Sequence, residues 1–227
     1  MNFLLFDIDG TLLLSGGAGK VAMERSFETV WGIRDALRTV PLMGRTDPVI
    51  VRQVLQENNL PQDDSKIEKF REYYFWYLEE EIGQDRPGKA LCPGVLPLLN
   101  ALSVQPNVEL GLLTGNWRYG GLLKLRHFGI DGFFRIGAYA DDSMKRDELV
   151  PVAIDRFRQA HGVSPAPESV FVIGDTPFDI RCGKPHGVRT VAVATGVHAA
   201  GELQAESPDF LFADLTQTDE VVKALTG

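Results

Sequence analysis

The chain predicts an α/β fold in which a parallel sheet is interrupted, after its first strand, by an inserted all-helical block. Three observations carry that expectation. The apolar run Phe3-Leu-Leu-Phe6 opens the chain and ends in two acids. Residues 15–88 then show helical patterning with no strand signal. From Pro93 onward, helical and strand patterns alternate, as right-handed βαβ units on a parallel sheet require.

The first strand closes with Asp7-Ile-Asp9-Gly-Thr11. Side chains alternate along a strand, so Asp7 and Asp9 share one side while Ile8 takes the other. Gly10 and Thr11 stop the strand, and residues 12–19 form a Gly-rich connection. A helix over 20–31 carries an apolar stripe of Val21, Phe27, Val30 and Trp31. Residues 40–48 read as a loop, where Thr46 or Asp47 caps a helix with Pro48 in its first turn. That helix runs to residue 58. The next, over 64–82, is rich in aromatic residues (Phe70, Tyr73, Tyr74, Trp76, Tyr77), a pattern commoner in a packed core than in a ligand platform.

Residues 83–88 read as a linker, and Pro93-Gly94 restarts the pattern. A helix over 95–104 precedes a strand over 108–113. A helix over 119–128 precedes an apolar stretch over 133–139. A helix over 146–159 precedes a strand over 169–173, and a helix over 178–186 precedes a strand over 188–193. Phe210-Leu-Phe212 and a final helix close the chain.

In open parallel sheets ligands bind beyond the carboxyl ends of the strands, so those ends are where chemistry is sought. One ends in Asp7 and Asp9. A second ends in Thr114-Gly115-Asn116, a hydroxyl followed by backbone amides. A third ends in Gly174-Asp175-Thr-Pro-Phe-Asp179. Buried acids are costly unless paired with positive charge, and this set of oxygens suits a hard cation such as Mg²⁺.

Bulk composition narrows the field. The 227 residues, 44% hydrophobic and 24% charged, are those of an ordinary globular protein of one large domain, or a core with a smaller insert. A net charge of -8 argues against non-specific binding to nucleic acid or anionic membrane. No apolar run reaches membrane-spanning length, and the start of the chain lacks the basic region of a secretory signal. The two cysteines, Cys92 and Cys182, form no CxxC pair and read as packing residues, so a cytoplasmic location is expected. Gly16-Gly-Ala-Gly19-Lys20 is not a P-loop, because Leu14 and Val21 occupy positions that motif reserves for Gly and Ser/Thr. The histidines His127, His161, His186 and His198 are scattered, which favours surface or capping roles.

The ordered set Asp7-x-Asp9-Gly-Thr, Thr114-Gly-Asn and Gly174-Asp175-Thr-Pro-Phe-Asp179 resembles the haloacid dehalogenase superfamily. Within it, the chain looks like the phosphoglycolate-phosphatase-like phosphatases with a C1-type helical cap. The match spans essentially the whole chain. The resemblance implies a Rossmann-like core, residues 1–14 and 89–227, and an inserted α-helical cap domain, residues 15–88. It implies that Asp7 attacks phosphorus and forms an aspartyl-phosphate, and that Asp9 protonates the leaving oxygen and then deprotonates water. Mg²⁺ would be held by the Asp7 carboxylate, the Asp9 backbone carbonyl and Asp175, with Asp179 holding metal-bound water or positioning the ligands. Thr114 and the amides of Gly115 and Asn116 would bind the phosphoryl oxygens.

The family's lysine before the Gly174 motif is replaced here by Lys145-Arg146. Placing Arg146 in that role puts Leu149 and Val152 on the apolar stripe. Lys145 would put Glu148 and Pro151 there and is the alternative. Arg45, in the loop over 44–47, is the expected contact to the non-reacting part of the substrate. Gly16, Gly17 and Gly19 would let the cap swing.

The implied activity is Mg²⁺-dependent hydrolysis of a small phosphorylated metabolite, with a sugar phosphomutase as the alternative on the same core. A metal-independent dehalogenase has no use for Asp9 and Asp175. A phosphate-binding regulator without catalysis has no use for the acid at Asp9.

Overall fold

The structure is a computed structural model and describes residues 1–227. Its centre is β1 (Asn2–Phe6), buried on both faces as the unbroken apolar run demands. Phe3 and Leu5 pack to one side, against Ala153 and Phe157. Leu4 and Phe6 pack to the other, against Leu98, Leu102 and Leu225.

After β1 come β2 (Leu13–Leu14) and the helical insert: α1 (Ala18–Trp31), α2 (Asp47–Glu57) and α3 (Asp64–Gly83). The chain returns through β3 (Ala90–Leu91), which pairs antiparallel with β2. Then follow α4 (Val95–Ser103), β4 (Val108–Leu113), α5 (Arg118–His127), β5 (Ile136–Ala138) and α6 (Leu149–His161). The last part is β6 (Val170–Gly174), α7 (Pro177–Gly183), β7 (Arg189–Val193), α8 (Ala200–Ala205), β8 (Phe210–Phe212) and α9 (Thr218–Thr226). The β2–β3 pair and α8 were not foreseen. Two-residue strands have no periodicity to read, and a six-residue helix is shorter than two turns.

The main sheet is parallel throughout, in the order β5-β4-β1-β6-β7-β8. The chain leaves β1 first toward β4 and β5 and later toward β6, β7 and β8, so strand order reverses at β1. A crevice opens at the carboxyl end of β1, between its neighbours β4 and β6. The three motif-bearing strand ends are therefore adjacent.

The insert has its own core, including Phe27, Val54, Phe70, Tyr74 and Leu78. Trp117, from the β4–α5 turn, is buried in this second core, its ring 5.7 Å from that of Tyr74 and 6.3 Å from that of Phe70. Gly16 and Gly17 take positive φ just ahead of α1, at 62° and 81°, whereas Gly19 lies within α1 and not in the connection. No helix is long and apolar enough to cross a membrane.

Candidate active site

Asp7 follows β1 directly, and its amide donates to Ile173 O of β6 at 2.9 Å. Asp175 follows β6, and its Oδ1 accepts from the Thr11 hydroxyl at 3.0 Å. Asp175 Oδ2 is buried and has no hydrogen-bond partner. Asp179 sits in the first turn of α7 in a capping box, where Oδ2 accepts from the Thr176 amide at 2.9 Å and its hydroxyl at 2.7 Å. Carboxylate oxygens of Asp7, Asp175 and Asp179 lie within 4.8 Å of one another.

The cation among these acids is Arg146, in the short 3₁₀ turn ahead of α6. Its Nη2 lies 3.0 Å from Asp7 Oδ1 and also pairs with Asp179 Oδ1. Its Nη1 donates to Gly44 O at 3.2 Å, and its Nε is buried without an acceptor. Leu149 is buried behind it and Val152 partly so, in one cluster. Lys145, with 72% of its side chain exposed, pairs instead with Glu148 at 3.0 Å. Lys145, extended just before the 3₁₀ turn, therefore lies outside the acid cluster that Arg146 enters.

Three acids against one guanidinium leave the cluster short of positive charge. Burial raises Asp7 to about 6, although Arg146 opposes it and Asp179 and Asp9 add to it. Burial, with Asp179 and Asp7 alongside, raises Asp175 to about 8. For Arg146 burial alone would lower the pKa, but the Asp179 and Asp7 carboxylates outweigh it and hold it above its usual value. Asp7, Asp175 and the orphaned Oδ2 fit a divalent cation with oxygen ligands. Asp179 Oδ1 pairs with Arg146 and its Oδ2 with Thr176, and Asp179 also lies close enough to Asp7 and Asp175 to share a cation with them.

Thr114, at the end of β4, is fully buried, and its Oγ accepts from Asn116 Nδ2 at 2.8 Å. The Gly115 amide makes no hydrogen bond within the chain. Asn116 Nδ2 also donates to Asp9 Oδ2, at 2.8 Å. The same Asp9 oxygen receives Lys124 Nζ at 2.6 Å. Lys124 is the site residue that sequence reasoning missed, because a single lysine in a helix ordinarily reads as solvated. The available signal was the spacing Gly120-Gly121-x-x-Lys124, which places two residues without side chains one turn before a lysine on the same helical face.

The loop over 44–47 reaches the crevice from the insert. The Asp47 amide donates to Gly115 O at 2.7 Å, and Asp47 Oδ2 accepts from the Trp117 amide at 2.8 Å. The Thr46 hydroxyl donates to Met144 O at 2.7 Å. Arg45 lines the cavity above the acids, and its guanidinium bonds to Gln53 Oε1, a neutral partner. Burial raises Asp47 to about 7 in spite of Lys124 nearby.

Comparison with known proteins assigns the chain to a family. A family model described as haloacid dehalogenase-like hydrolase matches residues 4–193. The chain is 24% identical to a pyrophosphatase PpaX of Halalkalibacterium halodurans, over 98% of this chain and 97% of that protein. It is 28% identical to a phosphoglycolate phosphatase of Pseudomonas syringae, over 94% of this chain and 77% of that one. Its fold is similar to the crystal structure of CbbY from Rhodobacter sphaeroides in complex with phosphate, with TM-score 0.74, 18% identity and 96% coverage of both chains.

Two outcomes follow from the loop contacts. A Cβ on Gly115 would overlap the Arg45 carbonyl oxygen and come within 3.0 Å of Thr46 Cα. Gly115→Ala must push the loop off the core, and urea unfolding should show a loss of about 1–3 kcal/mol; unchanged stability would contradict the contact. Asp47 ionises near 3.8 in an unfolded chain but near 7 when folded. Between those values the folded form holds a proton that the unfolded form has lost, so this group makes stability fall as pH rises. Asp47→Asn, which keeps an acceptor for Trp117, removes that loss. Its stability relative to wild type should rise between about pH 4 and pH 8, by about 4 kcal/mol at most. A pH-independent difference would contradict it.

Proposed function

Because the chain belongs to the haloacid dehalogenase-like hydrolase family, we propose that it is a magnesium-dependent phosphomonoesterase acting on a small phosphorylated metabolite through an aspartyl-phosphate. The observation that carries this reading is a complementary pair of unmet demands in one buried cluster. Asp175 Oδ2 is an acceptor without a donor, and Arg146 Nε is a donor without an acceptor. A cation and a phosphoryl group would meet both. The relatives named phosphoglycolate phosphatase and pyrophosphatase support the same chemistry.

In this reading Asp7 Oδ attacks phosphorus and the bond from phosphorus to the leaving oxygen breaks. Asp9 gives its proton to that oxygen. A water then attacks phosphorus and passes a proton to Asp9, while the bond to Asp7 breaks and free phosphate leaves. Both carboxyl groups end as they began. Thr114 Oγ, the Gly115 amide and Arg146 Nε hold the equatorial oxygens, over which the transition state spreads its charge. The Asp7 and Asp175 carboxylates, with the Asp9 carbonyl, would hold Mg²⁺, which would supply the positive charge that lets an anionic substrate approach a carboxylate nucleophile.

The insert serves as the cap. Together with the core it encloses about 420 Å³ above the acids, lined on the insert side by residues such as Met23, Leu42, Arg45 and Ile50. That volume holds a metabolite and excludes a folded phosphoprotein. Arg45 contacts the non-reacting part of the substrate, since no carboxylate competes for it.

Phosphate release from p-nitrophenyl phosphate tests the reading. Wild type should be active with Mg²⁺, inactive after EDTA, and active again when Mg²⁺ is returned. Asp7→Asn should lose at least about 10³-fold in kcat, and Asp9→Asn about 10²–10⁴-fold on alkyl phosphates. Activity that survives chelation, or the loss of Asp7, would overturn the mechanism.

A further inference from the structure

We propose that Lys124 is a positioning residue that decides which oxygen of Asp9 carries the catalytic proton; this rests on the reading of Asp9 as the proton carrier. The side chain is nearly fully buried, at 4% exposure, at the junction of core and insert. Its Nζ lies 2.6 Å from Asp9 Oδ2 and 2.7 Å from Asn116 Oδ1. With Asn116 Nδ2 at 2.8 Å from the same Asp9 oxygen, Oδ2 is held by two donors while no protein donor engages Oδ1.

That asymmetry is what a proton shuttle needs. Because both protein donors sit on Oδ2, Oδ1 is the oxygen left free for the proton that the proposed mechanism gives to the leaving oxygen and takes from water. The group need not rotate between giving a proton to the leaving oxygen and taking one from water. Asp9 otherwise has no such restraint, since a third of its side chain is open to the cavity.

The fold builds this contact at close quarters. A Cβ on Gly121 would lie 3.0 Å from Ile8 Cδ1, and one on Gly120 would lie 3.4 Å from Tyr74 Cε1. The two glycines let α5 press against both the end of β1 and the insert, and the next turn delivers Lys124 to Asp9. From the insert, Gly19 of α1 leaves room over the ammonium, since a Cβ there would lie 3.4 Å from Nζ. Asp47 is the other carboxylate that feels Lys124.

The experiment varies how much the leaving group needs a proton. A p-nitrophenolate departs readily as an anion, whereas the alkoxide of n-butyl phosphate needs protonation as it leaves. Lys124→Met should lower kcat by about 100-fold or more on n-butyl phosphate and by less than about 10-fold on p-nitrophenyl phosphate. Lys124→Arg should recover much of the difference. Equal losses on both substrates would assign Lys124 a structural role, and a raised KM with unchanged kcat would make it a substrate-binding cation; either overturns the proposal. Should Lys124→Met fail to fold by circular dichroism, Lys124→Gln, too short to reach Asp9, must show the same selectivity. Wild type inactive on both esters overturns the functional reading and this inference with it. Wild type that is active, and inactivated by Asp7→Asn, leaves the inference to be judged on the ratio alone.

Discussion

The structure depends on one electrostatic constraint, the burial of Asp7, Asp175 and Asp179 around the single guanidinium of Arg146. Removing one partner from a buried ion pair typically costs about 3–5 kcal/mol, because the remaining charge has neither water nor counter-ion. Here the pairing is incomplete by design of the strand ends. Arg146 spans Asp7 and Asp179, and Asp175 keeps one oxygen unmet. Burial and mutual repulsion push Asp7 and Asp175 toward protonation, a bias that a cation in the cluster would relieve. Stability and ligand demand are thus the same fact seen from two sides.

A second constraint follows from where the insert leaves the sheet. It departs after β1 and returns before β4, two neighbouring strands, so its loop over 44–47 must lie across the crevice. Each contact there has a backbone group on at least one side: Asp47 N to Gly115 O, Trp117 N to Asp47 Oδ2, Arg146 Nη1 to Gly44 O. Trp117 then anchors the β4–α5 turn inside the insert's own aromatic core. Any opening of the insert has to break these bonds and draw an indole from its pocket. Gly16 and Gly17, both at positive φ, mark where the chain enters the insert, and the Asp47–Trp117 junction ties its far side to the core.

Much of this was legible in the sequence, and the reason is periodicity. β1, β4 and β6 end in buried apolar runs that break at once into polar residues, so the ends carrying Asp7, Thr114 and Asp175 could be read directly. The apolar stripe through Leu149 and Val152 favoured Arg146 over Lys145, and the structure buries Arg146 against the acids while Lys145, extended just before the 3₁₀ turn, stays exposed. What could not be read was pairing at a distance. Lys124 is 115 residues from Asp9, and nothing local marks it beyond two glycines in the preceding turn. Asp47 looked like a helix cap and is one end of a buried hydrogen bond to Trp117. The β2–β3 ribbon, two residues on each side, had no pattern to find.

The arginine at position 146 matters because of its shape. A lysine offers three donors from one point and could reach one carboxylate or the other side of the crevice, with little left for a third partner. The planar guanidinium separates its donors: Nη2 serves Asp7 and Asp179, Nη1 reaches the carbonyl of Gly44 in the insert, and Nε stays free. The group that pairs with Asp7 therefore also touches the loop that covers it. One side chain thus bonds both to Asp7 and to the insert that covers it, a link that a point charge at the same position would not provide.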